Sequence, residues 1–282
     1  MQVQPFDADD ARVEVLELSG YENDPFCLFL PAGCDRENLV VFFPSNTLTV
    51  NGTPLASGET TDVFSEDGVY TVTTEEATYG LRVMGADHLP SLYLETDSGT
   101  LDAIHADKTY KEPGRLTVAE NGEITLNSAA LSYVKGRGNS SWRSNEKRSY
   151  TIKFEEDTGL LGMKAAKKWV LTSNNMDATL MRNAIAYSAA QLTRLPHTVG
   201  FAFVDLYVNG CYRGNYLLCE KIEVGKNRIA INDLEAANEE ANPGMLLSEA
   251  KRMQNEKKVA DPGLVRRAQR AGKPHRRLSA GI

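Results

Sequence analysis

The sequence predicts an α+β chain, and three features lead to that class. Short apolar segments rich in β-branched and aromatic residues fill the first third. A strand–loop–strand unit follows at residues 134–154, VKGRGNSSWRSNEKRSYTIKF. A single helical pattern near residue 180 then precedes a clear β-hairpin.

The first feature covers residues 1–86. FCLFL, LVVFF, LTV, VYTVTT and TYGLRVM are separated by Pro31-Ala32-Gly33, Asn51-Gly52, Ser57-Gly58 and Asp67-Gly68. Short strands at this spacing predict a small β-sandwich, with no cluster of catalytic residue types. Further strands broken by Ser98-Gly99, Pro113-Gly114 and Asn121-Gly122 lead on to the central unit. His105 and Asp107 lie close there and read as a surface pair.

In the central unit, Gly136 and Gly138 permit close backbone approach, and Asn139, Ser140 and Ser141 add short donors. Such a loop can turn N–H groups toward an anion such as phosphate. In the next strand Tyr150, Ile152 and Phe154 share one face, while Thr151 and Lys153 share the other. Lys153 is thereby delivered away from the apolar side. The loop lacks the Walker A pattern, and Ser141 stands where a third glycine would complete GxGxxG. On spacing alone, a solvated hairpin end explains the loop equally well.

Gly159–Met163 makes an apolar turn and Lys164–Lys168 a basic run, before a short strand at Trp169–Leu171. A helix is expected from about Asp177 to about Thr193, with the Asn174-Asn175-Met176-Asp177 stretch offering its cap candidates. Leu180, Met181, Ala184, Ile185, Ala189 and Leu192 would form its buried stripe. The hairpin then turns at Asn209-Gly210, a preferred type I′ pair, and Asn227–Asn232 reads as one more short strand.

Bulk properties narrow the function classes. At 282 residues, 41% hydrophobic and 24% charged, the composition is that of a soluble globular protein of one large domain or two ordinary ones. No apolar run approaches the ~18 residues of a membrane span, and the N-terminus has no signal-peptide pattern. Cys27, Cys34, Cys211 and Cys219 lack zinc-knuckle spacing, so metal binding by cysteine is not expected; they read as free thiols, with a Cys27–Cys34 bridge as the alternative in a secreted protein. Residues 245–282 hold ten Lys and Arg against three Asp and Glu, in a chain of net charge −7. The remainder is therefore acidic, and nucleic acid is not an expected partner.

RGNSSW, KRSYTIKF, LLGM, KKWVLTSNNMDATLMRN, VDLYVNGCYRGNYLLCEKI and NRIAINDLE, in that order, closely resemble the CotH family of atypical kinases, named for a spore-coat protein. The resemblance runs from roughly Leu89 to Pro243. It implies a β-sandwich accessory domain (1–86), a divergent protein-kinase-like N-lobe with an antiparallel sheet and an αC-like helix (87–244), and a basic, non-family tail (245–282). It further implies ATP and Mg²⁺ as cofactors, Ser or Thr of surface or spore-coat proteins as substrate, and an extracellular or spore-associated location. Arg137, Gly138, Asn139, Ser140 and Ser141 would cover the phosphates, Lys153 would contact them, and Glu220 would lie near the adenine. Lys147 and Arg148 are weaker candidates than Lys153.

No catalytic or metal-ligating residue is assigned. After Pro243 the carboxylates are Glu249, Glu256 and Asp261, none in a kinase-like setting. With the C-lobe largely missing, a truncated and catalytically incomplete kinase module is expected. The alternative is a non-enzymatic, surface-associated binding or scaffold module.

Overall fold

The computed structural model describes residues 1–17, 26–45, 47–144 and 147–230. The expected strand at Asn227–Asn232 is thus covered only to Ala230. The basic tail, with Glu249, Glu256 and Asp261, lies outside the described residues.

The short N-terminal runs pair into two sheets. The strands are β1 (Gln2–Gln4), β2 (Val13–Glu14), β3 (Leu16–Glu17), β4 (Phe26–Leu30), β5 (Leu39–Phe42), β6 (Leu48–Val50), β7 (Thr53–Leu55), β8 (Thr60–Thr61), β9 (Gly68–Thr74) and β10 (Thr78–Gly85). One sheet has the order β2-β1-β5-β8 and the other β3-β4-β10-β9-β6-β7. Alternation directs Val3, Val13, Leu39 and Val41 of the first sheet into a core shared with Leu28, Val72, Leu81 and Val83 of the second. That core also takes in Tyr93, Ala119 and Tyr207 from the strands that follow.

Those strands are β11 (Ser91–Thr96), β12 (Glu112–Glu120), β13 (Glu123–Arg137), β14 (Ser149–Thr158), β15 (Ala166–Thr172), β16 (Phe201–Val208) and β17 (Cys211–Glu220). They form a closed barrel in the order β11-β12-β13-β14-β15-β17-β16. This overturns the expected α+β class and the kinase-like N-lobe. Besides pairing with β17, β16 runs parallel to β11, from Ser91↔Asp205 to Leu94↔Val208, so the first and last strands meet and no edge remains. Helical structure among the described residues is confined to α1 (Asp102–Ala106), α2 (Ser140–Ser144) and α3 (Arg182–Gln191).

Three Asn-Gly pairs set the tight turns. Asn51-Gly52, Asn121-Gly122 and Asn209-Gly210 all take positive φ at both positions, joining β6 to β7, β12 to β13 and β16 to β17. Positive φ at both central residues is the type I′ requirement, and its twist suits antiparallel strands. The barrel is filled by side chains, with Trp169, Ile152, Phe154, Leu171, Leu206 and Leu218 among those buried inside.

The helix is shorter than expected, and its stripe is not a core. Asp177 still serves its first turn, accepting from the Arg182 amide at 2.8 Å and from Thr179. Of the predicted stripe within α3, only Ala184 is buried, against Val170, Leu217 and Cys219 on the outer face of the barrel. Ile185 is 61% exposed and Leu192 90%. A small residue lets the helix backbone approach the sheet, and the larger apolar side chains then project past the contact.

Glu95 on β11 makes stability pH-dependent. Burial, together with the Asp10 and Glu14 carboxylates, pushes it from 4.5 up to about 7, with the Gly210 backbone partly opposing. Between those values the folded chain holds a proton that the unfolded chain has released. The stability so conferred is complete below the unfolded value and is lost as pH rises through the folded one. Urea midpoints should therefore fall across this window, and Glu95→Gln should raise stability at pH 8 by about 1 kcal/mol after allowing for partial exposure. An unchanged midpoint for the variant at pH 8 would remove Glu95 as the cause.

Candidate functional site

The outer face of β13–β15 carries a cleft of about 570 Å³, and alternation explains its lining. Val134, Ile152, Trp169 and Leu171 point into the barrel, so Lys135, Arg137, Thr151 and Lys168 point out. Register places Lys135 opposite Thr151, and Tyr133 opposite Lys153, which in turn faces Lys168. Lys221, just beyond β17, and Lys108, beyond α1, complete the cationic wall.

The loop above the cleft is fastened by its glycines and an aromatic ring. A Cβ on Gly136 would lie 2.3 Å from the Trp142 ring, so only glycine leaves room for the indole. Trp142 packs partly on the barrel core, with the Arg148 guanidinium 4.7 Å from its ring and His105 edge-on at 6.0 Å. Gly138 takes φ 108°, a region closed to most side chains, before the chain enters α2. Lys108 Nζ donates to the Gly138 carbonyl at 2.8 Å and to Asn139 Oδ1 at 3.0 Å.

The returning strand is held as firmly. Lys147 Nζ donates to the Asn215 carbonyl at 2.6 Å, and Tyr216 Oη donates to the Arg148 carbonyl at 2.8 Å. Arg148 Nη1 donates to the His105 carbonyl at 2.7 Å, and the His105 ring pairs with Tyr150 Oη at 2.8 Å rather than with Asp107. Burial, then Arg148 and Arg213, lower the His105 pKa against the pull of Asp102.

Electrostatically the cleft lacks an anion. None of its lining residues carries a carboxylate. Burial, followed by Lys111, Lys221, Arg137 and Lys168, lowers the pKa of Lys135. Like charges disfavour one another's protonated forms, as expected where cations converge without a counterion. One partial counterion sits at the rim. Glu223 Oε2 accepts from Lys168 at 2.8 Å and Lys221 at 3.1 Å. Burial opposes ionisation of Glu223, but these two hydrogen bonds prevail and lower its pKa.

Of the residues singled out from the sequence, Arg137, Gly138 and Asn139 line the cleft together. Ser140 and Ser141 open α2 and are not among the lining residues. Lys153 emerges on the expected face, 5.8 Å from the Tyr133 ring, but lines a neighbouring depression of about 410 Å³ that shares Lys168 with the cleft. Glu220 is elsewhere, buried in an ion pair with Arg228 at 2.9 Å and accepting from the Gly200 amide at 3.0 Å. Lys147 and Arg148 hold the loop base. Sequence reasoning missed Lys108, Lys135, Lys168 and Lys221. The signal for Lys135 was its alternation with Tyr133 and Arg137, and for Lys168 its alternation with the apolar Trp169.

Residues 134–262 match the family model described as CotH kinase protein. That segment is similar to the CotH family. The matched segment opens on β13 at Val134 and includes every cleft residue except Lys108, Thr109 and Tyr133. A search of curated proteins gives no match. No helix among the described residues is long and apolar enough to cross a membrane.

Kinase chemistry implies both a nucleoside triphosphate and Mg²⁺, and the described residues fit them unequally. Ammonium, guanidinium and hydroxyl donors suit phosphate oxygens. A hard divalent cation needs oxygen ligands, chiefly carboxylates. The cleft lining offers none, and no group of three or more His, Cys, Asp or Glu among the described residues is placed to hold a metal ion. These residues do not fit Mg²⁺.

Proposed function

We propose that the cleft binds the phosphate chain of ATP, as the nucleotide-binding part of a CotH-type phosphotransferase acting on Ser or Thr hydroxyls of surface or spore-coat proteins. The observation that carries this reading is the convergence of Lys135, Arg137, Lys168 and Lys221 on a cleft without carboxylates, at the loop where the CotH match begins. Lys135 and Arg137 supply charge from β13, and Thr151 adds a hydroxyl from the adjoining strand. Lys108 acts differently, holding the Gly138 carbonyl and the Asn139 side chain in place and so shaping the upper wall. Among the described residues no group fits the metal that phosphoryl transfer requires.

Calorimetric titration of ATP into the full chain tests the reading. Binding is expected, with a loss of about tenfold on Lys168→Ala, the size of one charge-assisted hydrogen bond. Lys153→Ala, in the neighbouring depression, should cost less. Absence of binding would refute the proposal, and a larger loss at Lys153 would move the site to that depression.

A further inference from the structure

We infer that the cleft takes its polyphosphate ligand as the metal-free anion, so that Mg²⁺ weakens binding instead of assisting it. The inference rests on the phosphate-binding reading and specifies the form of ligand that the site accepts. Lys108, Lys135, Arg137, Lys168 and Lys221 bring five cations to one cleft, and the only carboxylate bonded to any of them among the described residues is Glu223 at the rim. That carboxylate is already shared between two ammonium groups through a single oxygen, Oε2.

In a site that recognises a metal–phosphate complex, acidic side chains would be expected to supply the remaining coordination positions. Here every charged lining group is a donor. Protein cations therefore do the neutralising that a divalent ion would otherwise do. When Mg²⁺ chelates the phosphate chain, it removes negative charge and occupies the oxygens to which Lys135, Lys168 and Lys221 would donate. The bound metal would also face ammonium groups across a partly desolvated cleft, where like charges repel more strongly than in water. Recognition on these terms is centred on the phosphate chain, so inorganic tripolyphosphate carries the same determinants as ATP.

The decisive measurement is calorimetry on the full wild-type chain with ATP, inorganic tripolyphosphate and adenosine, each in EDTA and again in saturating MgCl₂ at constant ionic strength. ATP and tripolyphosphate should both bind in EDTA and adenosine should not. Each binding constant should fall about tenfold or more with Mg²⁺, equivalent to one pairwise charge contact. Affinity that rises with Mg²⁺ overturns the inference while leaving phosphate binding intact. Retained adenosine binding without tripolyphosphate binding overturns it by placing recognition in the base. Failure of both phosphate ligands under both conditions overturns the phosphate-binding reading itself.

Discussion

Arg228→Met is expected to destabilise the folded chain by about 3–5 kcal/mol, the range for breaking one side of a buried ion pair. The Arg228 side chain is 2% exposed and that of Glu220 7%. Nη1 donates to Glu220 Oε1 at 2.9 Å, to the Lys164 carbonyl at 3.0 Å and to the Asn227 carbonyl at 2.9 Å. Nε and Nη2 have no hydrogen-bond partner among the described residues, and the Trp169 ring, 4.8 Å from the guanidinium carbon, offers the remaining attraction. Methionine nearly preserves the volume but strands the Glu220 carboxylate, to which, among the described residues, only the Gly200 amide still donates. Adding Glu220→Gln to Arg228→Met should recover much of the loss, because the unpaired charge is the main penalty. Denaturant unfolding of the two single variants and the double checks this. A loss below about 1 kcal/mol for Arg228→Met would show that the pair is dispensable.

Lys135→Glu should reduce ATP affinity by about 100-fold while leaving the fold as stable as the wild type or slightly more so. Losing a charge-assisted hydrogen bond accounts for about 1.5–3 kcal/mol, and the introduced carboxylate adds repulsion. Stability moves the other way because Lys135 sits among Lys111, Lys221, Arg137 and Lys168, which with burial already depress its pKa. The same depression has a pH consequence. Lys135 loses its proton below the ordinary lysine value of 10.5, so wild-type affinity should decline at a lower pH than unperturbed lysines would produce. Calorimetry beside thermal melting separates the two effects. A variant that binds ATP normally, or one that loses binding only because it unfolds, contradicts the assignment of Lys135 to the phosphates.

Much of the local structure was legible because its determinants are local. The Asn209-Gly210 pair sets its own turn, and alternation in β14 sent Tyr150, Ile152 and Phe154 inward and Lys153 outward, as expected. Trp169 fills the barrel core, and Trp142 sits half-buried against it. The α3 stripe misled because periodicity reports a possible buried face, not whether another surface comes to cover it. Lys135, Lys168 and Lys221 escaped notice for a related reason. A lysine on the outer face of a strand looks like a solvated residue until its neighbours are known.

The chain by itself determined its short N-terminal strands, its tight turns, the side of β14 that faces inward and the ordered motifs that resemble the CotH family. Each depends on residues within a few positions of one another or on their order along the chain. Tertiary structure alone decided that β16 lies parallel to β11, closing a barrel where a kinase-like sheet was expected, and that cations from β13, β15 and the segment after β17 converge. Pairing across more than a hundred residues leaves no local mark in sequence, and the field in a cleft depends on distances between groups that the chain brings together only when folded.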